Sequence, residues 1–238
     1  DFSTTFIIFF MSMIVALVGG APWQLIGKSI GLAVAGLAIF ILLALAFPNL
    51  FSNRVGTWIA RIENFSGNEE DADAQYQTTM AKMAIAEGQF FGKGPGKSVQ
   101  KNFLPQSNSD FVYAVITEEY GLVGATTLML IYIAVYRRFV RIAKRAHTKF
   151  GTLLVIAAAS GMILQTLINM AVATNLIPVT GQTLPLVSAG GSSIWMTCIA
   201  LGIILSVSHT DVKKVVGSSE QELDENPNDE PLTEPAHE

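Results

Sequence analysis

The chain has 238 residues, of which 50% are hydrophobic and 14% are charged, and its mean hydropathy is +0.44. This composition is too apolar for an ordinary water-soluble domain and indicates a membrane protein. Eight of the 19 acidic residues and none of the 15 basic ones lie after Gly217, so the part before it carries a net charge of +4 although the whole chain carries −4. The single cysteine, Cys198, excludes an intrachain disulfide.

Long uncharged stretches predict the membrane-spanning helices, because a bilayer core needs about 20 apolar residues. No Asp, Glu, Lys or Arg occurs in residues 2–27, 29–53 or 150–210. The third stretch is too long for one span, and the proline-containing segment 178–193 divides it. We therefore predict an all-α integral membrane protein with about five spans. They are expected near residues 4–18, 25–46, 111–136, 152–176 and 194–208.

Basic residues predict the orientation, since short cytoplasmic loops are enriched in Lys and Arg. Six such residues fill the connection 137–149. The predicted organisation begins with two spans in 1–47, followed by a large extracytoplasmic loop 48–110 that carries the active-site motif. Three spans follow in 111–209, connected by the basic cytoplasmic loop 137–149 and an outer re-entrant loop 178–193. Residues 210–238 are predicted to form an acidic, disordered cytoplasmic tail. The chain opens without Met inside an apolar segment, so we expect it to belong to a longer protein.

The outer segment 48–110 contains three features with possible chemistry. Residues 54–62 have two arginines spaced around a tryptophan, which suits an amphipathic piece in the headgroup zone. An acidic patch at 69–73 could attract a divalent cation or form a solvated loop. A helix is expected over 76–89, and a glycine cluster follows it at 92–101.

The glycine cluster does not have the spacing of a nucleotide-binding phosphate loop. Its glycines permit close backbone approach, while Lys93, Lys97 and Lys101 offer positive charge to a phosphate or pyrophosphate. A flexible turn with solvated lysines fits the spacing equally well. Both interpretations stay open at this point.

Asp110 stands where the polar loop meets the third span. Taken alone, Ser109 or Asp110 would be expected to cap the helix N-terminus. However, Glu118 and Glu119 follow inside the span, with Glu118 about 12 Å along the helix from Asp110. Ionisable groups in a span are costly and usually face a polar cavity or a partner. We therefore predict a polar groove that opens to the outside, with Asp110 as a reaction site.

The outer loop 178–193 is expected to form one wall of this groove. It contains two prolines, three glycines and several hydroxyl side chains, yet it is partly apolar. Irregular backbone at membrane depth is tolerated only where it packs in protein or lines a cavity. A loop that folds back toward Asp110 would meet that condition.

Several sequence motifs resemble those of the SEDS family (shape, elongation, division and sporulation) and occur in the same order. Within this family they resemble the division members rather than the elongation members. They are Asp1–Thr4, Arg61-Ile62 with Tyr76-Gln77, Gly92–Lys101, Leu104–Phe111 followed by Glu118–Gly121, and Asn169 with Pro178–Ser193. The chain departs from the family at three positions: Gln106 replaces a usual Glu, Asn108 a usual His, and Ala189 a common Tyr. Asp110 is retained.

The resemblance implies a ten-span fold of which this chain holds spans six to ten. It also implies peptidoglycan glycosyltransferase activity, in which lipid II is polymerised into glycan strands during septal cell-wall synthesis and cell division. The site would lie on the extracytoplasmic face of the bacterial inner membrane. The implied partners are lipid II, a class B penicillin-binding protein transpeptidase, other divisome proteins and membrane lipid, with no nucleic acid.

The implied reaction needs one base for the acceptor hydroxyl and positive charge for the leaving pyrophosphate. Asp110 is assigned as that base, or as a ligand to Mg²⁺ or Mn²⁺, which prefer oxygen donors; no organic cofactor is expected. The residues assigned to substrate binding are Lys93, Lys97, Gln100, Lys101, Pro105, Asn108, Glu118, Glu119, Thr180, Pro185, Ser188, Gly190 and Gly191. Among them, Glu118 and Glu119 are assigned as groove or support residues.

Two other functions are alternatives. A lipid II flippase or other transporter would explain buried acids and a lipid-accessible groove, but no inverted repeat is evident in the chain. A divisome scaffold would explain the spans and the acidic tail, but not the residues around Asp110.

Overall fold

The computed structural model describes residues 2–46, 72–104 and 107–224. Within these ranges the chain is helical, without β-strands, which confirms the predicted fold class. The elements in chain order are α1 (Phe2–Val18), α2 (Trp23–Ala46), α3 (Ala72–Gly88), a 3₁₀ turn (Gln100–Asn102), α4 (Val112–Arg145), α5 (Lys149–Ala173) and α6 (Gly191–Asp224). The predicted amphipathic segment 54–62 and the acidic residues 69–71 lie outside the described residues.

Four helices, α2, α4, α5 and α6, are long and apolar enough to cross a membrane. Each coincides with a predicted span. The remaining predicted span corresponds to α1, which is equally apolar but has only 17 residues. The expected helix at 76–89 is α3, which begins four residues earlier and ends one residue earlier.

Two helix ends differ from the prediction. Helix α4 was expected to end near residue 136 but continues to Arg145, so most of the predicted basic loop is helical. Helix α6 continues to Asp224, so the prediction of disorder from residue 210 is wrong for 210–224. The sequence permits both extensions, since neither contains a proline and the first proline of the tail is Pro227. Residues 225–238 lie outside the described residues.

Helix α5 is the centre of the arrangement and packs against α1, α4 and α6, while α3 packs against α4. The side chain of Thr148 caps α5 by accepting a hydrogen bond from the backbone of Gly151 at 3.1 Å. Two apolar clusters fill the interior. The cluster beside Asp110 consists of Ala81, Ala84, Leu104, Phe111, Ala114, Val172 and Ala173, and the other consists of Phe139, Ala143, Val155, Ala159, Met162 and Ile204.

Candidate active site

Helix α4 is interrupted at Gly121, whose backbone has φ 67° and ψ −166°. An interruption in a helix leaves backbone donors and acceptors without their usual partners. Here the chain that follows α3 supplies new partners. The amides of Leu122 and Val123 donate to the carbonyls of Gln89 and Phe90 at 2.9 and 3.2 Å.

The glycine cluster completes this exchange from the other side of the interruption. The amides of Lys93 and Gly94 donate to the carbonyls of Glu118 and Glu119 at 3.0 and 2.9 Å. Gly92 is required here, because a Cβ at that position would overlap the carbonyl of Glu119 and its φ is +76°. Gly92 therefore serves backbone-to-backbone packing, a reason for its presence that the spacing alone did not reveal.

Glu118 is the centre of the contacts that hold this loop, and its side chain is fully buried. Its carboxylate accepts hydrogen bonds from the Ser98 hydroxyl at 2.5 Å and from the Val99 amide at 3.0 Å. It also pairs with the Lys93 ammonium at 3.0 Å. Every one of these donors belongs to the segment between α3 and the 3₁₀ turn, so Glu118 fixes that segment against α4. Glu118 was predicted as a groove or support residue, and these buried contacts are those of a residue that supports the loop.

The three lysines of the cluster are in different situations. Lys93 pairs with Glu87 as well as Glu118, and the hydrogen bond to Glu87, followed by that to Glu118, raises the pKa of its ammonium group. Its charge is thus neutralised within the protein, which disagrees with its predicted role toward a phosphate. Lys97 and Lys101 are exposed and form no ion pair within the described part of the chain. These two lysines are free to meet an anionic ligand.

Asp110 lies in the turn before α4 and is 8% exposed. The N-cap of α4 is Phe111, and no side chain caps the helix, so neither Ser109 nor Asp110 acts as the cap. Instead, the Ser109 hydroxyl donates to Oδ1 of Asp110 at 2.6 Å. Within the described residues Oδ2 accepts no hydrogen bond, and no cation pairs with the carboxylate. One oxygen is therefore held in place and the other is available.

The outer loop folds back onto the turn that carries Asp110. The Ser188 hydroxyl donates to the carbonyl of Ser109 at 2.6 Å, and the Ala189 amide donates to the carbonyl of Asn108 at 2.9 Å. A Cβ on Gly181 would stand 3.7 Å from Oδ2 of Asp110. The loop thus packs against the turn that carries Asp110.

Asn169 was not among the predicted site residues, yet it joins the same two segments. Its side chain is fully buried in α5, and Nδ2 donates to the carbonyls of Asp110 at 2.8 Å and Gln182 at 2.7 Å. Oδ1 has no hydrogen-bond partner within the described residues. The available signal was an amide side chain inside an apolar span, which needs polar partners from the protein.

Comparison with known proteins places the chain in a family. Residues 1–213 match the sequence model of the FtsW, RodA and SpoVE proteins, described as cell cycle proteins. The chain belongs to this family. It is 34% identical over 212 residues to a probable peptidoglycan glycosyltransferase FtsW of Hydrogenovibrio crunogenus, covering 87% of this chain and 52% of that protein. It is 36% identical over 179 residues to stage V sporulation protein E of Bacillus subtilis, covering 74% and 47%.

Two solved structures share the fold of this FtsW/RodA/SpoVE member. A chain of a peptidoglycan synthase complex superposes with a TM-score of 0.61 at 24% identity, covering 87% of this chain and 55% of that one. An alanine mutant of the rod shape determining protein RodA of Thermus thermophilus gives 0.51 at 25% identity, covering 85% and 48%. The chain spans about half the length of the curated relatives it matches. It is a multi-pass membrane protein.

In this family member the predicted site residues fall into two groups. The first surrounds Asp110 and includes Asn108 and Ser188. Pro185 lies in the same outer loop, and its carbonyl accepts a hydrogen bond from the Tyr132 hydroxyl. The second surrounds Glu118 and includes Lys93 and the buried Gln100. Two hydrogen bonds connect these groups: the Leu104 amide donates to the carbonyl of Gln100 at 2.8 Å, and the Ser107 hydroxyl donates to the carbonyl of Lys101 at 3.1 Å.

The remaining predicted residues lie at the edges of these groups. The carbonyl of Thr180 accepts a hydrogen bond from Ser3 at 3.1 Å, which ties the outer loop to α1. The Gly190 amide donates to the carbonyl of Ser188 at 2.9 Å, and Gly191 begins α6. The side chain of Glu119 makes no hydrogen bond or ion pair in the part of the chain that is described. Pro105 lies outside the described residues.

The donor set around Asp110 does not by itself form a cation site. Mg²⁺ and Mn²⁺ take several oxygen ligands, often from more than one carboxylate. Among the described residues, no group of three or more Asp, Glu, His or Cys side chains lies close enough together to hold an ion. Asp110 would supply one protein carboxylate at most, and the mechanism below uses no cation.

Proposed function

We propose that the full-length protein is a peptidoglycan glycosyltransferase that polymerises lipid II at the extracytoplasmic face of the membrane, during septal cell-wall synthesis. The observation that carries this proposal is the state of Asp110, a nearly buried carboxylate whose Oδ1 is held by Ser109 and whose Oδ2 has no hydrogen-bond partner among the described residues. Membership of the FtsW/RodA/SpoVE family supports it, since relatives covering 87–88% of this chain are named peptidoglycan glycosyltransferases.

In the proposed reaction Asp110 is the general base. Oδ2 accepts the proton of the acceptor's sugar hydroxyl, and the hydroxyl oxygen forms a bond to the anomeric carbon of the donor. The bond from that carbon to the pyrophosphate oxygen breaks with inversion, and its electron pair leaves with the undecaprenyl pyrophosphate. No general acid is needed, because pyrophosphate is a good leaving group. A positioned base of this kind contributes about 10²–10⁴-fold to a rate.

The surroundings of Asp110 suit such a base. Ser109 fixes Oδ1, and Asn169 fixes the backbone of the same residue, so the direction of the free oxygen is set before substrate binds. Lys97 and Lys101 are the cations proposed to meet the pyrophosphate, since both are exposed and free of ion pairs among the described residues. Lys93 is left out of this role because Glu87 and Glu118 already neutralise it.

The proposed partners follow from the family. They are lipid II as substrate, a class B penicillin-binding protein as the cognate transpeptidase, other divisome proteins and membrane lipid. A Mg²⁺ or Mn²⁺ ion at Asp110 remains a proposal that depends on further ligands from substrate phosphate and water. Asn108 stands beside Asp110 with an exposed side chain and can hydrogen-bond a sugar.

Polymerisation of labelled lipid II tests the proposal. The full-length protein would be assayed with its partner transpeptidase, whose active-site serine is blocked so that only glycan chains form. We expect glycan from the wild type and none above background from Asp110→Ala, with thermal unfolding and complex formation unchanged. Glycan production by a folded Asp110→Ala variant would move the chemistry elsewhere and favour the transporter alternative.

A further inference from the structure

The far end of α4 carries a groove that the proposed reaction does not use. It is an open groove of about 480 Å³, named here the basic groove. Its lining residues are Ile133, Tyr136, Arg137, Val140, Arg141 and Lys144. Their spacing of three and four residues places all six on one side of the helix.

The charge of the basic groove is not compensated by the described protein. The sequence contains no Asp or Glu between Glu119 and Asp211. Among the residues whose side chains are described, no ion pair involves Arg137, Arg141 or Lys144. All three side chains are exposed.

The position of the groove along α4 relates it to the membrane surface opposite the candidate active site. Beyond the interruption at Gly121, Arg137 and Lys144 lie 15 and 22 residues after Leu122, or roughly 23 and 33 Å at 1.5 Å per residue. A bilayer core is about 30 Å thick. When Leu122 lies near one surface, the groove cations therefore extend from near the boundary of the bilayer core to the headgroup zone of the other surface, which the basic connection predicts to be cytoplasmic.

We propose that the basic groove binds an anionic phospholipid, with the phosphate against Arg137, Arg141 and Lys144. Guanidinium groups bind phosphate through paired hydrogen bonds, and basic pockets on the cytoplasmic side of membrane helices select acidic head groups. Ile133 and Val140 offer apolar surface to the start of an acyl chain. The groove thus matches both chemical parts of such a lipid.

The acidic tail of the chain is the main competitor for the same charge. The part after Gly217 carries eight acids, and Leu223 and Leu232 are the only large aliphatic residues in that part. A phospholipid supplies a phosphate and an acyl chain together and is present at high concentration beside the helix. The combination of cationic and apolar lining therefore favours the lipid.

Lipid binding to the full-length protein tests this inference without any activity measurement. The purified protein in detergent would be titrated with phosphatidylglycerol or phosphatidylcholine, and bound lipids counted by native mass spectrometry. We expect the wild type to bind phosphatidylglycerol at least about tenfold more tightly than phosphatidylcholine. Each basic residue near a membrane surface contributes about fivefold to the affinity for an anionic lipid. Substitution of all three groove cations by Gln should remove this preference, and Arg141→Gln alone should weaken it about fivefold.

A second triple variant is matched in charge. Arg138→Gln, Arg145→Gln and Lys149→Gln remove three cations that do not line the groove, and this variant should keep the preference. Thermal unfolding controls for folding of each variant. Equal loss in both triple variants, or equal binding of the two lipids by the wild type, would overturn the proposal.

Two further arms separate the other occupants. Soluble glycerol 3-phosphate, which has a phosphate but no acyl chain, should not displace the lipid at millimolar concentration; displacement would show a free-phosphate site instead. Removal of residues 225–238 should leave lipid binding unchanged. A marked gain in binding that depends on the groove cations would show that the tail occupies the groove.

Discussion

Asp110 and Glu118 are two buried carboxylates about two helical turns apart, and their surroundings differ. Glu118 is fully buried and receives a serine hydroxyl, a backbone amide and a lysine ammonium. Asp110 is slightly exposed, and within the described residues its side chain receives only the Ser109 hydroxyl on one of its oxygens. The two residues are chemically similar but differ in how much of their bonding capacity the protein already uses.

This difference distinguishes a carboxylate that holds neighbouring groups in place from one that can react. A carboxylate whose acceptor sites are filled stabilises the donors around it and cannot easily accept a further proton. A carboxylate with an oxygen left open keeps that capacity for a ligand. Burial alone would have marked both residues as site candidates, while the count of donors distinguishes them.

The largest effect is expected from Asp110→Asn. The amide retains the shape of the side chain but cannot accept a proton as a base, so the rate of lipid II polymerisation should fall by about 10²–10⁴-fold. Because Asp110 forms no ion pair among the described residues, the melting temperature should stay nearly unchanged. Polymerisation rates and thermal unfolding of the full-length protein would be measured together. A large fall in melting temperature would instead give Asp110 the holding role assigned to Glu118.

Glu118→Ala should have the opposite profile. It leaves the Ser98 hydroxyl and the Val99 amide without their acceptor and removes a partner of Lys93. Since Lys93 is partly exposed, we expect the free energy of unfolding to fall by about 3 kcal/mol, at the lower end for a broken buried pair. Denaturant titration measures this loss.

Glu119→Ala is the matched control for that change. The Glu119 side chain has no hydrogen bond or ion pair within the described residues, although its carbonyl accepts from Gly94. We expect a change within about 0.5 kcal/mol, as for most partly exposed side chains. Equal losses at the two neighbouring glutamates would contradict the special role of Glu118.

The sequence predicted much of the Asp110 region. The boundary between a polar loop and an apolar span located the carboxylate, and the composition of 178–193 predicted a loop that packs against protein. These inferences succeeded because membrane burial restricts where polar backbone can go. Asn169 was missed as a site residue because its partners are the backbone carbonyls of Asp110 and Gln182, 59 and 13 residues away in sequence.

The Glu118 region was predicted less well. Its structure depends on the interruption at Gly121 and on the insertion of residues 89–94 into the gap, which are contacts between distant backbone atoms. The available signal was Gly121, which follows Glu118 and Glu119 inside a predicted span. Hydrophobic periodicity, however, does not show where a helix is interrupted. The spacing of the glycine cluster is consequently compatible with phosphate binding or a flexible turn, and it does not predict the packing of Gly92 against α4.

A pair of glycine substitutions isolates that packing. Gly92 and Gly96 have nearly the same φ, +76° and +73°, but a Cβ would overlap the Glu119 carbonyl at Gly92 and would meet nothing within 4 Å at Gly96. Gly96→Ala should therefore cost only the conformational strain, about 1 kcal/mol, while Gly92→Ala should cost about 2 kcal/mol more. Both would be measured by denaturant unfolding. Equal costs would show that the close approach to α4 does not contribute.

The smallest effects are expected at the lysines of the glycine cluster. Lys97 and Lys93 can be compared in the same way as Asp110 and Glu118. Lys97 is exposed and unpaired among the described residues, so Lys97→Ala should raise the KM for lipid II about three- to tenfold and leave the melting temperature unchanged. Lys93→Ala should instead lower the melting temperature and leave KM nearly unchanged, because its charge is held by Glu87 and Glu118. These carboxylates raise the pKa of Lys93, so it stays charged throughout the neutral range and the contrast should not depend on assay pH between 6 and 8. A rise in KM for Lys93→Ala that matches that of Lys97→Ala would show that the loop releases Lys93 to the substrate, and the glycine cluster would then hold the pyrophosphate as well as the helix.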